Sequence, residues 1–115
     1  NNRIYLSIPE LETNKINKKD QSDFLWEFIF KNIEILCKNK EKNKFDIPSI
    51  RWIKSISYLL NDYKLSSKKV KKQFIHILQE KNCFKALETM LHTGLMEKYI
   101  PDFLRVLNSS IVIIF

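Results

Sequence analysis

The chain has 115 residues, 44% of them hydrophobic and 29% charged, which suits one domain with one core and is not a disordered composition. One glycine and three prolines exclude collagen-like and turn-dense all-β designs. No apolar run approaches the roughly 18–20 residues that cross a bilayer, and Asn1-Asn2-Arg3 lacks the basic-then-apolar layout of a signal peptide. The missing initiator Met reads as a fragment or a trimmed product.

The net charge of +7 invites a nucleic-acid partner, but the residue types argue otherwise. There are 17 Lys against 3 Arg, with 16 Ile and 10 Asn. Lys, Asn and Ile share AT-rich codons, so a biased genome produces this skew without selection for anions. Arginine, whose planar fork reads phosphates and guanines, is scarce. A solvated lysine surface is therefore the expectation, and neither nucleic acid nor membrane is an expected partner. Cys37 and Cys83, each beside apolar residues, read as free thiols in a reducing cytoplasm, with a disulfide unsupported.

In chain order, Arg3 to Ile8 alternates weakly and is β-branched or aromatic, which predicts a short extended segment closed by Pro9. The polar stretch Glu12 to Lys19 predicts a loop. Asp20 or Ser22 then offers an N-cap, with Asp23 and Glu27 placed where the helix dipole favours acid. Phe24, Leu25, Phe28, Ile29, Ile33 and Leu36 recur at helical spacing, flanked by Trp26, Phe30 and Cys37. A helix apolar over half its girth is central and covered on several sides. It should end near Lys38, because Lys38 to Lys44 has no apolar period.

Asp46 caps a second predicted helix, with Pro48 in its first turn and Ile50, Ile53, Ile56 and Leu60 as its stripe. Trp52, Leu59 and Tyr63 lie beside that stripe. Ser66 or Ser67 caps a third, carrying Val70, Phe74, Ile77 and Leu78. Its first turns hold Lys68, Lys69, Lys71 and Lys72, which oppose the positive end of the helix dipole. Asn82 caps a fourth helix with Ala86, Leu87, Met90 and Leu91 inward. Gly94, the only glycine, closes it in the left-handed conformation. Leu95 to Ile100 forms a short turn before Pro101, and Asp102, Phe103, Leu104 and Val106 begin a last helical piece. The expected architecture is all-α, a compact bundle of four to five helices behind a short extended segment. The divisions are 1–19 (segment and loop), 20–107 (helical domain) and 108–115 (apolar tail).

Reaction chemistry is sparse. One glycine cannot build a phosphate loop, and His76 and His92 have no second His or Cys at metal-ligand spacing. Cys83 with His92 makes a nucleophile pair only if the fold joins them. Glu34, Glu88 and Glu97 sit among lysines and read as surface charge. The aromatics fall at helical spacing, as core does, and not as a base-stacking platform. No catalytic, cofactor-binding or metal-ligating residue is assigned.

The stretch from Lys85 to Val106 nevertheless resembles the bacterial PII-protein uridylyltransferase/uridylyl-removing enzymes. Met90, Gly94, Leu95, Tyr99, Ile100, Pro101, Asp102, Phe103 and Val106 fit that family's helix ending in Met, its Gly-Leu-Leu, its Tyr-Ile/Leu-Pro-Glu/Asp-Phe and its following Val. Upstream the order of elements is similar but looser: Arg3 to Leu6, a long aromatic helix, Ile50-Arg51, then Phe74 to Leu78. The resemblance implies the helical segment between a nucleotidyltransferase domain and a metal-dependent HD phosphohydrolase domain. Divalent metal and UTP would belong to those neighbours, whose Gly-Ser, paired-Asp and His-Asp motifs fall outside this sequence, so the chain itself takes no cofactor. The implied partners are the two flanking domains and, through them, the PII protein of nitrogen regulation.

The family continues past the Val into Gln-x-Asp-x-Tyr/Phe-His, whereas here Leu107-Asn108-Ser109-Ser110 runs into Ile111-Val112-Ile113-Ile114-Phe115. A frameshift at the domain entrance and an ordinary buried apolar tail both account for that run. Two other functional readings stay open. One is a small basic nucleic-acid module built on Lys68, Lys69, Lys71 and Lys72; the other is a helical adaptor with an apolar groove.

Overall fold

A computed structural model describes residues 3–9 and 17–103. In chain order it comprises β1 (Arg3–Ile4), α1 (Lys18–Lys38), β2 (Lys44–Phe45), α2 (Ile47–Ile56) with a 3-10 turn at Ser57–Leu59, α3 (Lys68–Leu78), α4 (Cys83–Thr93) and α5 (Leu95–Tyr99). It is the all-α bundle expected, with one small strand pair added.

Helix α1 is the hub, packed chiefly against α3 and α4. Its buried side is Ser22, Leu25, Trp26, Ile29, Phe30, Ile33, Leu36 and Cys37, a helical stripe wide enough to serve two neighbours. The expected stripe is rotated: Trp26 and Phe30 lie at the centre, and Phe24 is 41% exposed. The aromatic cluster explains the rotation. Trp26 meets Phe30 at 5.0 Å and Tyr99 at 4.8 Å, and Phe74 reaches Tyr99 at 5.1 Å between ring centres. Such pairs contribute about 0.5–1.5 kcal/mol each beyond their area. The Trp26 indole N–H donates to the carbonyl of Asn61 at 2.8 Å, so its polar edge is satisfied inside the core. Phe28 instead sets its ring against Trp52 at 5.6 Å on the outer side.

The cap of α1 also differs from expectation. Asn17, not Asp20 or Ser22, is the N-cap, its side-chain oxygen accepting from the backbone N–H of Asp20 at 2.8 Å. Asp20 falls in the first turn, where its charge suits the dipole. Ser22 is buried and accepts from the Asn61 N–H at 2.8 Å, tying α1 to the chain after α2. Lys18 and Lys19 are therefore helical, while 10–16 lie outside the described residues.

Helix α2 begins as predicted: Asp46 accepts from the Ser49 N–H at 2.9 Å, and Pro48 stands in the first turn. Just before it comes a strand pair the sequence did not announce. Arg3 pairs with Lys44 and Ile4 with Phe45, in parallel. A parallel pair needs a long crossover, and α1 lies within it. Two residues per strand are too few to show a period of two.

Ser67 caps α3, accepting from the Val70 N–H at 3.2 Å. Ser66 instead donates to the Tyr63 carbonyl at 2.8 Å and lies 3.1 Å from the Tyr99 hydroxyl. Val70 and Ile77 are buried and Phe74 partly so, but Leu78 is 41% exposed.

Helix α4 is rotated relative to its apolar pattern as well. Lys85, Ala86, Thr89, Met90 and Thr93 are buried, while Leu91 is 46% exposed. Backbone carbonyls accept the polar groups: Thr93 donates to Thr89 O at 2.7 Å, and Lys85 reaches the end of α1. Gly94 has φ +82° and ends α4, after which Leu95, Met96 and Tyr99 of α5 turn back into the core. Ile100 is non-helical ahead of Pro101, as the proline requires. Leu104, Val106 and the tail 108–115 lie outside the described residues.

Candidate functional site

The residues of the motif stretch are structural members of one joint. Met90, Leu95, Met96 and Tyr99 are each 0–1% exposed, and Gly94 supplies the left-handed turn between the two helices. Burial pushes the Tyr99 phenol above its ordinary value. The hydrogen bond with Ser66 opposes that shift, and the Asp23 carboxylate adds to it. The joint positions α4 and α5 against α1; it presents no convergent ionisable groups.

The sequence candidates separate in space. Cys83 and His92 stand nine residues apart on one helix, about 13 Å along its axis, so they form no pair. His76 and His92 are both exposed. Among the described residues no group of three or more His, Cys, Asp or Glu is placed to hold a metal ion. Both cysteines are free thiols. Cys37 is buried, and burial raises its thiol above the ordinary value. The Ala86 N–H works against that shift, Glu80 and Cys83 reinforce it, and Lys85 opposes it. A raised thiol is a poor nucleophile at neutral pH.

The lysines of α3 are less isolated than their order implies. Lys68, Lys69 and Lys72 are exposed and Lys71 half-buried, but Lys69 pairs with Glu27 of α1 at 2.8 Å. The Asp23 carboxylate accepts the Ser67 N–H at 3.0 Å, so α1 supplies the negative charge that the first turn of α3 lacks. Glu34 pairs with Lys38 at 2.9 Å, and Glu97 is exposed.

A feature the sequence concealed is a cleft of about 210 Å³ between the strand pair and α4. Arg3, Lys44 and Phe45 form one wall, Glu88, Thr89 and His92 the other, and Ile50 also lines it. The Arg3 guanidinium is steadied by the Phe45 carbonyl at 3.2 Å. These residues span ninety positions of sequence, and only the unforeseen β1–β2 pairing brings them together.

Among the described residues no helix is long and apolar enough to cross a membrane. Comparison of the chain with protein-family models, curated proteins and solved structures gave no match.

Proposed function

We propose that this chain is the non-catalytic helical segment of a bifunctional PII uridylyltransferase/uridylyl-removing enzyme of nitrogen regulation, working in the cytoplasm as a spacer between its two catalytic domains. One observation supports this reading above others. The residues that carry the resemblance, Met90, Gly94, Leu95, Tyr99 and Ile100, form the α4–α5 joint that packs on α1. A resemblance concentrated in joint-forming residues is what a shared scaffold produces. Helix α1, with 21 residues, is a strut of about 31 Å. Exposed Tyr58, Leu65 and Phe84 give flanking domains apolar surface to dock on. Metal, UTP and the PII protein are then met by the neighbours.

The DNA on either side of the coding region tests the proposal. Upstream it should encode a Gly-Ser and paired-Asp metal motif, and downstream, in this or a shifted frame, the His and His-Asp ligands of an HD domain. Flanks without these motifs overturn the assignment. So does transfer of UMP from UTP to a PII protein by the purified chain alone. Salt-sensitive binding of nucleic acid by the lysines of α3 would instead favour the small basic module.

A further inference from the structure

We infer that Cys37 and Cys83 form an oxidisable thiol pair, which exchange with a small disulfide such as oxidised glutathione joins as a covalent staple between the end of α1 and the start of α4. The inference is independent of the uridylyltransferase reading.

The first observation is the way the two helices cross. Lys38 meets Glu80 at 3.6 Å, and the Leu36 carbonyl meets the Lys85 ammonium at 3.5 Å. These contacts run in opposite senses along the chain, so Cys37, between 36 and 38, stands opposite the stretch between Glu80 and Lys85. Cys83 lies in that stretch, as the first residue of α4.

The second observation is where the thiols sit. Cys37 is 2% exposed and belongs to the core cluster. The Ala86 N–H hydrogen-bonds to its sulfur, and charge on Cys83 acts on the same group. Residues three and seven apart share a helix face, so Cys83 is on the side of α4 that carries buried Ala86 and Met90. One helical turn separates Cys83 from the N–H that touches Cys37. Cys83 itself is half-buried and keeps a path to solvent.

The unequal burial orders the chemistry. The Cys83 thiolate attacks one sulfur of oxidised glutathione; the S–S bond breaks and a glutathione thiolate leaves. The Cys37 sulfur, sheltered from small molecules, then attacks the Cys83 sulfur of the mixed disulfide. The second glutathione leaves and takes up the Cys37 proton. Two protein thiols are oxidised, and one glutathione disulfide is reduced to two thiols. The bridge closes a ring over residues 38–82, which contains α2 and α3, and so restricts the unfolded chain.

Equilibration of the reduced full chain with oxidised and reduced glutathione, in buffer and in denaturing urea, tests this by acid quenching, alkylation and peptide mass mapping. The ratio of Cys37–Cys83 bridge to reduced chain is expected to be at least about tenfold higher in buffer, because the fold holds the pair together. Cys83→Ala, at a half-buried position, should leave Cys37 free of glutathione in buffer but not in urea. The bridged chain should show a higher urea midpoint than the reduced chain. The inference is overturned if Cys83 accumulates as a glutathione adduct without the bridge, if bridges form only between chains, or if the ratio is the same in buffer and urea. Glutathione on Cys37 of folded Cys83→Ala overturns the order of steps, and a lower midpoint for the bridged chain overturns the staple.

Discussion

Lys85 of α4 donates its ammonium to the carbonyl of Asn39, the C-cap of α1, at 2.5 Å across 46 positions of sequence. The same ammonium reaches the carbonyls of Lys42 at 3.0 Å and Leu36 at 3.5 Å. A helix leaves its last carbonyls without partners and carries partial negative charge there. Lys85 answers both needs, and being 5% exposed it does so out of water. The Asn39 side chain meanwhile accepts from the N–H groups of Glu41 and Lys42, fixing the turn that presents the other carbonyl.

Replacing Lys85 by Met keeps the apolar stem and removes the donor. Three carbonyls at the α1–α4 junction then lose a charged partner, and the expected loss is about 2–3 kcal/mol, the scale for hydrogen bonds to charged groups. Lys85→Arg should lose less, since it keeps the charge but must fit a larger fork. Urea denaturation measures both. A Lys85→Met midpoint equal to that of the parent would show that the cap contributes nothing.

Much of this fold was legible in the chain, and Lys85 marks where legibility stopped. Asp46, Pro48 and Gly94 each act through a local backbone rule, so sequence spacing placed them correctly, and it narrowed the cap of α3 to Ser66 or Ser67, of which Ser67 is the cap. The rotation of α1 and α4 was hidden because pattern reading assumes that only apolar side chains turn inward. Lys85, Thr89 and Thr93 turn inward because carbonyls or the cleft receive their polar ends, and Leu91 is displaced outward in consequence. The cleft was illegible for a further reason. Arg3 and Lys44 become neighbours through a two-residue pairing across a 39-residue crossover, and no local signal encodes that contact.

Gly94→Ala isolates a backbone effect. A Cβ at this position would meet nothing within 4 Å, so the substitution creates no steric conflict. What remains is the cost of holding an L-residue at φ +82°, about 1–2 kcal/mol. Gly94→Asn should lose less, because Asn tolerates the left-handed region. The two variants compared in one urea series check this. A loss above about 3 kcal/mol for Ala would mean that the α4–α5 joint itself had shifted.

Alkaline pH should destabilise the protein through two buried acids. Burial is the leading cause that raises the Cys37 thiol above its ordinary 9.0 and the Tyr99 phenol above its ordinary 10.0. Both groups are thus held neutral in the fold, while the unfolded chain releases their protons earlier. Their stabilising contribution is complete below about pH 9 and falls as pH rises through the raised values, by at most about 1.4 kcal/mol per pH unit for each group. Cys37→Ala should flatten the decline that begins near pH 9. Tyr99→Phe should flatten the part above pH 10, at a cost near neutrality of about 1 kcal/mol for the lost bond to Ser66. Urea midpoints at pH 8, 9, 10 and 11 measure both slopes. A parent profile that stays level across this range would show that neither group is held neutral by the fold.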